Sequence, residues 1–107
     1  MEVTLAPLSS IPEGEGRTFL VGDSRLAVFR SRGGAVFATQ ADCPHKGGPL
    51  ADGLLGGSTL ICPLHAQKFD LTTGQALNGE CNLKTYPARL SQSGQILVDL
   101  DAGSGHV

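Results

Sequence analysis

The sequence predicts an all-β protein: an antiparallel β sandwich or barrel into which a small, loop-rich subdomain is inserted. Short runs with alternating apolar residues recur along the chain, for example over 25–31 and 95–100. Turn residues separate these runs, and 15 of the 107 residues are glycine, which favours many turns over long helices. A length of 107 residues corresponds to about one domain, so we assign 1–107 to a single domain.

The apolar runs place the base sheet of this domain in two blocks, approximately residues 1–40 and 83–101. In the run 25–31, Leu26 and Val28 fall on one face of a strand, whereas Ala27 and Phe29 fall on the other. Tight turns are predicted at Arg32-Gly33-Gly34 and Ser93-Gly94. The first block is expected to form a meander of four strands over 2–8, 17–21, 25–31 and 35–40, and the second block two strands over 83–90 and 95–100.

Residues from approximately 41 to 82 form a different unit, rich in glycine and proline, with short predicted strands only at 59–61 and 68–71. This unit carries two motifs, Cys-Pro-His at 43–45 and Cys-Pro-Leu-His at 62–65. Each motif offers one thiolate and one imidazole. The candidate metal ligands are therefore Cys43, His45, Cys62 and His65.

Two Cys and two His suit two kinds of metal centre. One type of [2Fe–2S] cluster is held by two Cys on one iron and two His on the other, and a single zinc ion can take all four in a tetrahedron. Zinc motifs usually supply Cys as one close pair and His as another, whereas each loop here mixes the two. The pattern therefore favours the cluster, with a zinc-stabilised interaction module as an alternative. A catalytic Cys-His pair is disfavoured, because nothing else in the chain marks a nucleophile.

The two motifs resemble those of the Rieske [2Fe–2S] family, including the proline after each Cys. The stretch 42–50 is similar to the first loop of small Rieske ferredoxins, and 62–74 is similar to their second loop and exit hairpin. The stretch 81–90 resembles ferredoxin components of ring-hydroxylating dioxygenases and the small subunit of NAD(P)H-dependent assimilatory nitrite reductase. The resemblance implies one Rieske [2Fe–2S] cluster, with Cys43 and Cys62 on one iron and His45 and His65 on the other, and no catalytic residues.

The resemblance also implies a low reduction potential, near the lower end of the Rieske range of roughly −150 to +300 mV. Rieske proteins of cytochrome bc complexes carry an additional disulfide at the positions of Gly48 and Leu64. They also place Ser and Tyr hydroxyls at the positions of Gln67 and Phe69. Neither the disulfide nor the hydroxyls are possible here, so donors that stabilise the reduced cluster are missing.

The implied function is that of a soluble ferredoxin, which passes single electrons from a flavin reductase to a terminal oxygenase or another oxidoreductase. The alternative is a small non-catalytic subunit bound to the large subunit of an assimilatory nitrite reductase. His45 and His65 are expected at the protein surface, in an apolar patch of Pro49, Leu50, Pro63 and Leu64.

The remaining features limit partners and location. The net charge of −2, without a basic run, disfavours nucleic acid and anionic membranes as partners. No apolar run approaches the ~20 residues of a membrane helix, and the N-terminal residues do not resemble a signal peptide. Three Cys residues argue against a disulfide framework, which indicates the cytoplasm. Lys46 and Lys68 are interpreted as solvated charges or as a rim for an acidic partner, and Cys81 as a half-buried thiol.

Overall fold

The structure is a computed structural model that describes residues 2–42, 49–62, 68–77 and 82–100. Within these ranges the chain forms ten strands and two short 3-10 turns, at Leu8–Ser10 and Leu50–Asp52. The strands are β1 (Glu2–Pro7), β2 (Glu15–Val21), β3 (Ser24–Arg30), β4 (Val36–Gln40), β5 (Leu54–Gly56), β6 (Thr59–Ile61), β7 (Lys68–Asp70), β8 (Thr85–Tyr86), β9 (Ala88–Leu90) and β10 (Gln95–Asp99).

The strands form three antiparallel sheets, which confirms the predicted all-β class. The central sheet has the order β2-β3-β4-β8, a second sheet has the order β1-β10-β9, and a third has the order β5-β6-β7. The predicted meander was wrong in one respect. The first strand, β1, leaves the meander and pairs with β10, with Val3 opposite Val98.

The central sheet is buried on both faces at β3. On one face Leu26 and Val28 pack with Ile96 and Val98 of β10. On the opposite face Ala27 and Phe29 pack with residues of the third sheet. Because successive side chains of a strand point to opposite faces, the predicted alternation in 25–31 corresponds to contacts with two separate cores.

The run 83–90 does not form one strand, as the sequence predicted, but divides at Pro87. Before the proline, β8 pairs with β4, with Tyr86 opposite Ala38. After it, β9 pairs with β10, with Ala88 opposite Val98. Proline has no N–H to continue a ladder, and the carbonyl of Pro87 accepts a 3.0 Å hydrogen bond from the N–H of Asp99. The chain therefore crosses from the central sheet to the second sheet at this residue.

The short strand β5 was not predicted. Its two leucines, Leu54 and Leu55, stand between glycines, so the run is too short for an alternating pattern. It becomes a strand because it pairs with β6, with Leu55 opposite Leu60. The third sheet thus has three strands, and all of them belong to the unit that carries the ligand motifs. In the described part of the chain, no helix has the length and apolar character needed to cross a membrane.

Candidate metal centre

Of the four predicted ligands, Cys62 lies in the described part of the chain. Cys43, His45 and His65 fall in 43–48 and 63–67, outside the described residues. Among the described residues alone, no group of three His, Cys, Asp or Glu side chains is placed to hold a metal ion. The geometry that bears on the centre is therefore that of Cys62 and of the residues from which the two ligand loops begin and end.

The first ligand loop begins after β4 of the central sheet and leads to one end of the third sheet, where the second ligand loop begins and ends. Leu54, Ile61 and Lys68 lie opposite one another across β5, β6 and β7. The first loop enters β5 at this end, and the second loop connects Ile61 to Lys68 at the same end. The residues that carry the two motifs are thus attached to neighbouring positions of one sheet.

The base of the first loop is closed by hydrogen bonds. Asp42 and Pro49, the residues on either side of 43–48, form an antiparallel bridge. The N–H of Leu50 donates a 3.0 Å hydrogen bond to the carbonyl of Ala41. On the far side of Leu50, Gly53 packs so closely on β6 that an added Cβ would collide with the main-chain oxygen of Ile61. The end of the first loop therefore lies directly against the residue that precedes Cys62.

Cys62 is 1% exposed and belongs to an apolar core that also contains Leu50, Leu60 and Phe69. Burial in an apolar environment opposes the charged thiolate. Coordination to a metal reverses this preference, because the cation compensates the charge and the thiol gives up its proton. A buried Cys beside the base of a second Cys-containing loop fits a [2Fe–2S] cluster, whose iron would take the thiolate while the core excludes water.

Two side chains hold Asp42, the residue before Cys43. The guanidinium of Arg25 donates a 2.8 Å hydrogen bond to the carboxylate of Asp42, and both side chains are nearly half exposed. Exposed ion pairs of this kind contribute little to stability. The side-chain amide of Gln40 donates a 2.8 Å hydrogen bond to the main-chain carbonyl of Asp42. Sequence reasoning missed Gln40, because its role comes from contacts made only in the folded chain.

The residues predicted to flank the centre occupy different environments. Phe69 is fully buried in the core below Cys62, and Lys68 is exposed on β7. Leu50 is also fully buried, so its predicted place in a surface patch was wrong, and it seals the core instead. The other flanking residues lie outside the described part of the chain: Pro44, Lys46, Gly47, Gly48, Pro63, Leu64, Gln67 and Cys81.

Comparison with known proteins identifies the family. The family model of the Rieske [2Fe–2S] domain matches residues 1–87. The ferredoxin component of the naphthalene 1,2-dioxygenase system from Pseudomonas aeruginosa is 36% identical over 95 residues, which cover 87% of this chain and 89% of that relative.

Two solved structures share the fold along nearly the whole chain. The NADH-dependent nitrite reductase small subunit from Mycobacterium tuberculosis matches with a TM-score of 0.85 and 26% identity, covering 100% of this chain and 97% of that one. The ferredoxin of carbazole 1,9a-dioxygenase from Nocardioides aromaticivorans matches with a TM-score of 0.80 and 28% identity, covering 92% and 96%.

The comparisons confirm the resemblance drawn from the two motifs and favour the cluster over the zinc alternative. A [2Fe–2S] cluster supplies a centre that takes up and releases one electron at a time. The chain therefore belongs to the Rieske [2Fe–2S] family, and it is an electron-transfer protein that holds one such cluster.

Proposed function

We propose that this chain is the ferredoxin component of an oxygenase system, which takes one electron from a flavin reductase and delivers it to a terminal oxygenase. The observation that carries the proposal is the match to a dioxygenase ferredoxin component over 87% of this chain and 89% of the relative. The chain's own part in this function is to hold the cluster, exclude water from it and present it to two partners in turn.

The proposed ligands are Cys43 and Cys62 on one iron and His45 and His65 on the other. Two features support this set. The bases of both loops meet at one end of the third sheet, and Cys62 is buried there in an apolar core. The division into a base (approximately 1–40 and 83–101) and a cluster-binding unit (approximately 41–82) is supported by the described strands, because β5, β6 and β7 form a sheet of their own.

We also propose a low potential, a cytoplasmic location and no catalysis by the isolated chain. The low potential is supported by Phe69, whose buried ring offers no hydroxyl donor. The cytoplasm is supported by the need for reduced Cys43 and Cys62 thiols in the cluster. An electron carrier leaves substrate chemistry to its partner, so the isolated protein is expected to show no oxygenase or nitrite reductase activity.

The proposed route for the electron runs through His45 and His65 to a partner docked over them. Pro49 is exposed beside the first loop. We propose that it and Leu64 of the second loop would supply the apolar surface for a weak contact of less than about 1,200 Å². Replacing Leu64 with Glu should slow reduction by the partner while the cluster's visible spectrum is unchanged. Bleaching of the variant would instead assign Leu64 to sealing the cluster.

A reconstituted system tests the proposed function. The purified holoprotein is combined with NADH, a flavin-dependent ferredoxin reductase and a terminal oxygenase, and product is measured against the concentration of this chain. We expect turnover to require the chain, and the Cys62→Ser variant, which lacks one ligand, to support none. Rapid reduction by the reductase without any electron delivery to oxygenases would contradict the proposal.

The alternative function is that of a nitrite reductase small subunit. The fold match to such a subunit over 100% of this chain favours it as the second candidate. A subunit should co-purify from its native cells in a stable complex with a large flavin- or haem-containing protein. A carrier should elute alone and exchange electrons with its partner only transiently.

A further inference from the structure

Gln40, the last residue of β4, makes three hydrogen bonds that join Asp42 to Lys84, and we call this arrangement the joint. Its side-chain Nε2 donates to the carbonyl of Asp42 at 2.8 Å. Its Oε1 accepts from the N–H of Lys84 at 2.8 Å, and its own N–H donates to the carbonyl of Lys84 at 2.9 Å. One amide side chain thus connects the residue before Cys43 to Lys84, which lies 44 positions beyond Gln40 in the sequence.

Residues 82–84, the segment reached by Gln40, are hydrogen-bonded in turn to residues 74–76, which follow β7 and fold back against it. The side-chain oxygen of Asn82 accepts a 2.8 Å hydrogen bond from the N–H of Ala76. Ala76 forms an antiparallel bridge with Phe69 of β7. We call residues 82–84 the splint, because they connect Gln40, whose side chain binds Asp42, to the segment that packs against β7.

A second contact fixes the splint to the same hairpin. The N–H of Leu83 donates a 2.7 Å hydrogen bond to the carbonyl of Gly74, while the Leu83 side chain is fully buried in the core that contains Cys62. Gly74 approaches Leu83 so closely that no Cβ would fit there. The splint is therefore held at three consecutive residues, two of them bonded toward β7 and one toward Gln40.

The ladder between β4 and β8 explains why a side chain is needed at this point. Only Ala38 and Thr39 of β4 have partners in β8, so the regular pairing stops one residue before Gln40. The main-chain N–H of Gln40 still donates to the carbonyl of Lys84, but the N–H of Lys84 donates to the side chain of Gln40. The Gln40 amide therefore supplies the last acceptor for the splint and extends the connection to Asp42.

We infer that Gln40 is a positioning residue of the metal centre: through the splint it sets the separation between the bases of the two ligand loops. Cys43 follows Asp42 directly, and His65 lies three positions before Lys68, the first residue of β7. The inference is that this joint fixes the two sets of ligands relative to each other. The inference rests on the proposed ligand set. Its consequence is that Gln40 controls how firmly the cluster is retained and how uniform its ligand geometry is.

The test replaces Gln40 with Met, which has similar length but neither donor nor acceptor and no charge. The matched control is Gln95→Met on β10, since Gln95 is also half-buried and makes no side-chain hydrogen bond within the described part of the chain. Loss of two hydrogen bonds should make bleaching of the holoprotein by an iron chelator about fivefold faster or more in Gln40→Met. Its reduced-state EPR lines should also broaden, and the control should match the wild type in both.

Far-UV circular dichroism measures the thermal unfolding midpoint of the base sheets. Comparing this midpoint with the temperature of cluster loss distinguishes a positioning role of Gln40 from a general loss of stability. We expect Gln40→Met to lose its cluster well below that midpoint. Asn82→Leu removes the hydrogen bond between the splint and Ala76 and should also make bleaching faster. It serves as the test if Gln40→Met does not fold. Because both changes act on one connection, the double variant should bleach no faster than the faster single variant.

Two results would overturn the inference: bleaching and line shape equal to the Gln95→Met control, or faster bleaching that merely follows an equal loss of thermal stability with unchanged line shape. Failure of the proposed ligand set is distinguishable from both. In that case the wild-type protein itself would lack the EPR signal of a reduced Rieske cluster.

Discussion

At the scale of single residues, the bases of the ligand loops depend on a few positions where no other side chain fits. Gly74 is the clearest, because it combines a φ of +81° with close approach to the carbonyl of Leu83. Gly94, in the hairpin before β10, has the same φ of +81° but open space around it. Substitutions at these two glycines therefore distinguish the cost of the backbone conformation from the cost of the close packing.

We expect Gly94→Ala to cost about 1–2 kcal/mol, the usual penalty of a left-handed conformation. Gly74→Ala should cost a further 1–3 kcal/mol or so, since the new methyl group must displace the splint. Denaturant unfolding of both holoproteins, followed by circular dichroism, measures the difference. Equal destabilisation of the two variants would show that the close contact at Gly74 has no energetic weight.

Phe69 occupies the position at which high-potential Rieske proteins carry a Tyr, and it is fully buried in the core with Cys62. A buried Tyr hydroxyl requires a hydrogen-bond partner, and a sulfur of the proposed centre would accept a hydrogen bond from it. A hydrogen bond worth about 1 kcal/mol more in the reduced state raises a one-electron potential by about 40 mV. Voltammetry of Phe69→Tyr should show such a rise.

The control for this substitution is Phe37→Tyr on β4, a half-buried ring at the edge of the same core. Its midpoint potential should equal that of the wild type. An unchanged or lowered potential in Phe69→Tyr would contradict the account of the low potential.

At the scale of elements, β3 separates two cores with different roles. The core between the central and second sheets contains Ile96, and the core between the central and third sheets contains Leu60 and Cys62. Both Leu60 and Ile96 are fully buried. Damage to the core that contains Leu60 and Cys62 should affect the metal centre, whereas damage to the core that contains Ile96 should not.

Leu60→Ala and Ile96→Ala should each destabilise the protein by about 2–5 kcal/mol, because each leaves a cavity. The rate at which a chelator removes iron should rise much more in Leu60→Ala than in Ile96→Ala. Iron release that depends only on the loss of overall stability, in both variants alike, would argue against separate cores.

The ion pair of Arg89 and Glu2 connects β9 to β1, with two hydrogen bonds of 2.8 and 2.9 Å. The hydrogen bond and then the charge of Glu2 raise the pKa of Arg89 above its ordinary value. A raised pKa means that the stabilisation is fully present at neutral pH and is lost only when the pH rises through that high value. Unfolding curves of Arg89→Met and wild type should therefore keep a constant, small separation between pH 7 and pH 9, and a separation that changes across this range would contradict the assignment.

The sequence predicts elements well where one local pattern determines them. The alternation at Leu26–Phe29 identifies β3, and the turn residues Ser93 and Gly94 identify the last hairpin. Prediction fails where pairing decides the structure, as at Leu54–Gly56 and at the change of sheet at Pro87. For the candidate centre, the motif spacing indicates all four ligands, but Gln40 and Asn82 carry no local signal, because their partners lie far away in the sequence.

At the scale of the whole molecule, the proposed metal centre lies at one end of the third sheet. The bases of both ligand loops meet at that end, and the other two sheets share a separate apolar core. Under the proposed function, this arrangement would place the cluster at one end of the molecule, while the base sheets support it from the other side.

The central claim is that one [2Fe–2S] cluster is held by two Cys and two His, and pulsed EPR of the reduced holoprotein tests it most directly. The account predicts a red-brown protein whose reduced spectrum is that of a Rieske centre, with couplings to two directly coordinated histidine nitrogens, from His45 and His65. A cluster without coordinated nitrogen, or a colourless protein that holds one equivalent of zinc, would contradict it.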